Sequence, residues 1–216
     1  MNHTLFIILC NHSIVIAAVI ACFRVKSVTS DYYPFIIFIW LGLLNESVSL
    51  ALLYNRYTNT VNSNIFVLLE YLLILFQFYK WNKGNAAKYY LLAYVGILVW
   101  AADNFLLNSV QQNNSVFRVF YSFVVLFFSI DMVNKIIIFE NIRLKNHAMF
   151  LICLIFIFYY GFKACVESFN MFHLGLTGNF LRKLWLILNI VNLITNLLFA
   201  LAVLWIPTRQ KFILRY

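Results

Sequence analysis

The sequence predicts an all-α membrane protein: a polytopic bundle of about seven transmembrane helices, N-terminus outside and C-terminus in the cytoplasm. Three observations carry that reading. Hydrophobic residues make up 64% of the chain and charged residues only 11%, against roughly 25% charged in soluble domains, too little polar material to clothe a soluble core. Apolar runs repeatedly reach the roughly 20 residues needed to cross the hydrocarbon. They lack the two-residue alternation of barrel strands, which leaves helices as the spanning element.

The elements follow in order as one domain over residues 1–216. The first span runs from about Thr4 to Phe23. No basic segment precedes it and Arg24 and Lys26 follow it, so it reads as a retained span rather than a signal peptide. The second covers about Tyr33 to Tyr54 and is entered through Pro34, a tolerated position at a helix start. The third is short, about Asn64 to Tyr79; the fourth covers Tyr89 to Leu107 and the fifth Val116 to Phe139. The sixth runs from about Ala148 to Glu167, and the seventh from Leu184 to Ile206, closed by Pro207. The longest loop, Ser168 to Lys183, contains Gly175 and Gly178 as turn formers, so no extramembrane domain is expected. Both prolines sit at span ends, which predicts unbroken helices and weakens a transporter reading.

Basic residues set the orientation. Arg24, Lys26, Lys80, Lys83, Lys88, Lys135, Arg143, Lys145, Arg209, Lys211 and Arg215 fall on one side, eleven in all. Arg56, Arg118, Lys163, Arg182 and Lys183 make five on the other. The richer side is assigned to the cytoplasm. The formal net charge of +9 is therefore spread through loops, which excludes a nucleic-acid-binding face. Tyr32, Tyr33, Tyr89, Tyr90, Trp81, Trp185 and Trp205 lie near span ends as an interfacial belt. Cys10, Cys22, Cys153 and Cys165 all lie in apolar runs with no metal-ligand spacing and read as small apolar fillers.

The acids are more informative. Of seven, only Asp31 and Glu140 are clearly in loops; Glu46, Glu70, Asp103 and Asp131 lie within spans and Glu167 ends one. A charge at a helix centre costs roughly 2.5–3.5 kcal/mol on insertion scales, so each must be paired, protonated or wetted. With the N-terminus outside, Glu46, Glu70, Asp103, Arg118 and His12 collect between the midplane and the outer face. Asn189, Asn192 and Asn196 share an arc of about 60° in the last span. Gly42, Asn45, Glu46 and Ser49 form a stripe on the second span, and Glu70 with Gln77, Gly96 with Asp103, and Arg118 with Ser122 and Ser129 share faces on theirs. Such stripes should face the bundle interior, where the blander role is to join helices by hydrogen bonds. Asp131 and Lys135, four apart, are expected to pair locally. Lys163 and Glu167 are also four apart, in the less favourable order, and read as interfacial. Glu46, Glu70 and Asp103 have no basic residue four positions away, so their partners must come from elsewhere.

The resulting ligand-binding candidates are Glu46, Glu70, Asp103, Asn189, Asn192, Asn196, His12 and Arg118. Three functions fit them: a sensor or receptor-like component with an outward polar cavity, a proton-coupled transporter, or an intramembrane metal enzyme. The last has no HExxH or HxxxH ligand pair and no nucleophile motif, so no catalytic residue, metal or cofactor is assigned. The last span has no internal lysine for a retinal Schiff base.

The Glu70 span, the Asp103 span and the Asn-rich last span ending LFALAVLWIP resemble a small bacterial family of uncharacterised seven-span integral membrane proteins, often encoded beside two-component signalling genes. That resemblance implies a cytoplasmic (inner) membrane location, a signalling context and a membrane or cytoplasmic signalling partner. It implies no catalytic residues.

Overall fold

The computed structural model describes residues 3–82, 86–139, 146–172 and 178–208. Among these, seven segments are long and apolar enough to cross a membrane. The chain is a multi-pass membrane protein built as a seven-helix bundle. The first crossing is made of α1 (His3–His12) and α2 (Ile14–Arg24). The others are α3 (Tyr33–Tyr54), α4 (Thr60–Asn82), α5 (Ala86–Ala102, extended by a π-turn to Leu107), α6 (Ser115–Phe139), α7 (Ala148–Met171) and α8 (Gly178–Trp205).

Consecutive helices pack side by side in up-and-down order, and α8 returns to α1 and α2 to close the ring. Helix α4 also touches α6, which places α4 toward the middle and leaves α5 at the periphery. Outward faces are apolar: Leu44, Ile97, Phe127, Phe158 and Ile194 are exposed, while Glu70, Asp103, Arg118, Lys163 and Glu167 are buried. This inverts the soluble pattern and suits a lipid solvent, where an exposed leucine costs nothing and an exposed charge a great deal.

Helix ends are secured across the bundle. Pro34 opens α3, and Gln77 of α4 accepts from the Phe35 N–H at 2.8 Å while donating to the Asp31 carbonyl at 2.6 Å. Arg24 at the end of α2 donates to the carbonyls of Val203 (2.9 Å), Leu204 and Ile206 (2.9 Å), which covers the C-terminus of α8. Arg24, counted above among the basic residues of the expected cytoplasmic side, is thus also a helix cap. In the half of the bundle nearer the C-terminus, Phe38, Phe156 and Phe199 meet edge to face. Phe78 stacks on Phe128 at 5.4 Å beside them. These rings fill the middle of that half without a polar atom.

Four expectations need correction. The third span is not short: α4 runs 23 residues, because its polar ends, Asn62 and Ser63 at one and Lys80 at the other, stay helical beyond the apolar core. The expected long loop from Ser168 to Lys183 is helical at both its ends, since α7 continues to Met171 and Gly178 opens α8. Arg182 and Lys183 therefore sit on the first turns of α8. The first span is also broken, at Ser13, without proline or glycine. Its backbone tightens toward 3₁₀ geometry (φ −57°, ψ −21°), with an Ile16 N–H to Ser13 carbonyl bond and the Ser13 hydroxyl donating to the Cys10 carbonyl at 2.6 Å. Lys83, Glu140, Arg143, Lys145, Gly175, Arg209, Lys211 and Arg215 lie outside the described residues.

Candidate functional site

The acid of the third span is paired across three helices. The Glu70 carboxylate on α4 accepts from the Tyr121 hydroxyl of α6 and the Tyr160 hydroxyl of α7, each at 2.8 Å. The Lys163 ammonium of α7 lies 3.5 Å from the same carboxylate, with side chains 8% and 5% exposed, and it also donates to Tyr121. It sits over the rings of Tyr121, Tyr159 and Tyr160, 4.9 to 5.7 Å from their centroids. Fixed hydroxyls and ring faces thus hold a buried charge pair that no single helix could hold.

A second pair lies one turn toward the N-terminal end. Arg118 of α6 and Glu167 of α7 are 3.8 Å apart and both buried. Arg118 also donates to Ser63 Oγ at 2.9 Å and Asn64 Oδ1 at 3.1 Å on α4, and Glu167 accepts from Ser115 at 2.8 Å. Asn64 reaches on to the Val110 and Gln112 carbonyls, at 2.9 and 2.8 Å. Asp103 does something different. The π-turn, closed by the Asn108 N–H to the Asp103 carbonyl, presents its carboxylate to the first turn of α6. There it accepts from the Phe117 N–H at 2.7 Å and the Asn108 amide at 2.8 Å. An anion at a helix N-terminus is stabilised by exposed amides and by the helix dipole.

Glu46 is in neither network. Among the described residues it forms no ion pair, and its nearest donor is the Asn45 amide at 3.5 Å. It lines a cavity of about 70 Å³ that also meets Asn11, Gly42, Glu70, Asn192 and Asn196. Gly42 matters there, since a Cβ on it would lie 2.6 Å from Ile14 Cδ1. Asn192 donates to Asn11 Oδ1 at 3.1 Å and Asn196 to Ser13 Oγ at 3.0 Å, which ties α8 to the break in the first span. Toward the N-terminal end, Glu46 and Asn11 also border a second cavity of about 190 Å³ with His12, Ser49 and Asn59. The two hollows share Glu46 and Asn11 as wall residues. Around the mouth, Asn62 donates to Asn45 (2.9 Å), Asn59 (3.0 Å) and Ser49 (3.3 Å). His12 Nδ1 lies 3.0 Å from the Ile8 carbonyl, which can only accept, so Nδ1 carries the proton. Its Nε2 is buried with no partner among the described residues.

Five of the eight residues chosen from sequence therefore border one or other of these two hollows: His12, Glu46, Glu70, Asn192 and Asn196. Three do not line either one. Asp103 is spent on the start of α6 and Arg118 on Glu167. Asn189 is partly exposed and donates at 2.8 Å to the Trp185 carbonyl of its own helix, because its direction falls at the edge of the stripe. Ser122 and Ser129 are buried as expected, but their hydroxyls bond the Arg118 and Val125 carbonyls one turn back rather than another helix. Asp131 and Lys135 do pair, at 2.8 Å. Lys163 and Glu167 are not interfacial; each is buried against a partner on another helix. Lys163, Glu167, Tyr121, Tyr160, Asn11 and Thr195 are the residues that sequence reasoning left out. A lysine eight residues before the end of the apolar helix α7 was the signal available. Among the described residues no three His, Cys, Asp or Glu side chains converge as a metal site requires. All four cysteines are free; Cys10 and Cys153 are buried, while Cys22 and Cys165 are exposed.

No protein-family model, curated protein or solved structure matches the chain.

Proposed function

We propose that the protein is a sensor or receptor-like component of the cytoplasmic (inner) membrane, with its polar cavity open to the outer side. The observation that carries this reading is the position of Glu70. Glu70 lines the cavity shared with Glu46, and both its carboxylate oxygens are held from α6 and α7, Oε1 by Tyr160 and Oε2 by Tyr121 and Lys163. A ligand group that enters beside Glu46 and competes for Glu70 changes the partners of Lys163. That is a local charge event coupled to the packing of three helices, the kind of bistable element a switch needs. Output then comes from a membrane or cytoplasmic signalling partner, as the resemblance to seven-span proteins beside two-component genes implies. Cross-linking in native membranes followed by purification tests this. Recovery of a partner with an enzymatic output domain, lost on Glu70→Gln, supports it; recovery of none opposes it.

Proton-coupled transport is the second reading, favoured by the break at Ser13. Many carriers bind substrate where a spanning helix is interrupted; here Ser13 keeps helical geometry and its carbonyl accepts from the Ile16 N–H, so the interruption is a single tightened turn. The phenylalanine cluster below the cavity weighs against it, since no polar path continues through Phe38, Phe156 and Phe199. Proteoliposomes decide: flux abolished by Glu46→Gln supports transport, and an absence of proton or solute flux removes it.

A further inference from the structure

We propose that the cavity between α1, α3 and α8 binds a small monovalent cation of about the size of sodium, with the Glu46 carboxylate as its counter-charge and the Thr195 hydroxyl as a neutral oxygen ligand. The inference deepens the receptor reading by giving the ligand of that cavity a chemical class, and it rests on that reading.

The wall presents side-chain oxygens that no described donor reaches. The Ser13 hydroxyl spends its proton on the Cys10 carbonyl, so it accepts from Asn196. This fixes the Asn196 amide with its nitrogen toward the first span, and its oxygen has no donor among the described residues. Asn192 likewise turns its NH₂ group toward the first span, donating one of its two hydrogens to Asn11. Thr195 lies between them on α8, lines the cavity and is 1% exposed. Its hydroxyl has no partner among the described residues, not even the carbonyl one turn back that a helical threonine ordinarily uses. A buried polar atom in this state signals a missing partner.

Charge and size narrow the partner. Glu70 shares the wall, but Lys163 and two tyrosine hydroxyls balance it. Glu46 is left as the carboxylate without a cation among the described residues. The other titratable groups facing it are the His12 ring and the Tyr159 hydroxyl, neither a fixed positive charge. One uncompensated carboxylate with amide and hydroxyl oxygens suits a hard monovalent ion. A divalent ion takes six to eight oxygens, commonly from several carboxylates. At about 70 Å³ the cavity holds an ion with one or two waters and falls far below the roughly 300 Å³ of pockets for organic ligands.

The test is thermal unfolding of the full chain in detergent or nanodiscs. Sodium chloride is titrated against N-methyl-D-glucamine chloride at constant ionic strength, with ²³Na line width as a second readout. The expected result is a saturable rise in the unfolding midpoint with sodium. Glu46→Gln abolishes it, and Thr195→Val shifts its half-saturating concentration up by about tenfold or more, while Thr195→Ser retains it. Any variant that fails to fold is replaced by the line-width titration of the wild-type chain competed with potassium or ammonium. A wild-type midpoint and line width indifferent to sodium, or a sodium response that survives Glu46→Gln, overturns the proposal. If Ser49→Cys still reacts with an impermeant thiol reagent from outside while sodium has no effect, the cation inference falls and the outward cavity stands. If that labelling fails as well, both fall.

Discussion

Lys163→Met, which keeps the length of the side chain and removes its charge, should be among the most destabilising single changes in the bundle. In the native protein the ammonium lies 3.5 Å from the Glu70 carboxylate with both side chains under a tenth exposed. At an effective dielectric constant of about 20 that separation corresponds to about 5 kcal/mol of attraction. Methionine restores the packing but leaves Glu70 buried, charged and held only by Tyr121 and Tyr160. Losing one member of a buried pair costs about 3–5 kcal/mol, because the survivor keeps its desolvation penalty. Glu70→Gln should cost about as much, for the mirrored reason. The double variant should recover most of the loss and finish within about 1–2 kcal/mol of the native chain, since an uncharged pair has no such penalty. Reversible unfolding in mixed micelles, read by tryptophan fluorescence for all four proteins, gives the coupling directly. A loss below about 1 kcal/mol in Lys163→Met, or single losses that simply add, would refute a buried, mutually compensating pair.

Three further outcomes use the same assay. Gly96→Val places methyl groups against the Tyr71 ring, whose hydroxyl donates to the Leu92 carbonyl at 2.8 Å; overpacking there should cost about 1–3 kcal/mol, and no loss would show that α4 and α5 can separate freely. Asp103→Ala removes the acceptor of the Phe117 N–H and the Asn108 amide and should cost about 1–3 kcal/mol, with exchange of the Phe117 amide hydrogen accelerated. Arg24→Met uncovers the last carbonyls of α8 and should cost about 1–2 kcal/mol, whereas an unchanged midpoint would reduce Arg24 to a topology signal.

Hydropathy alone made the seven crossings legible, because lipid forces each span to declare itself as a long apolar run. Span ends were less legible. Asn62, Ser63 and Lys80 continue α4 into the interface, where helical hydrogen bonding persists after the apolar residues stop. Helical angle correctly turned Glu70, Asn192 and Asn196 inward but could not name their neighbours. Those neighbours come from other helices, which explains why Lys163 and Glu167 suggested each other by spacing while pairing with Glu70 and Arg118. The break at Ser13 carries no proline or glycine; the Ser13 hydroxyl donates to the Cys10 carbonyl and accepts from Asn196, a partner that only the assembled bundle supplies. Asp103 looked like Glu46 and Glu70 by composition and depth, and it diverged because the π-turn points it at the start of α6.

The cavity at Glu46 is proposed to be hydrated and to open to the outer face of the membrane. Ser49 borders its mouth on α3, so a single cysteine placed there reports on access from either side. In a chain whose four native cysteines are replaced by alanine, Ser49→Cys should react with an impermeant methanethiosulfonate added to intact cells. Reaction only in inverted vesicles, with intact cells protected, would contradict it.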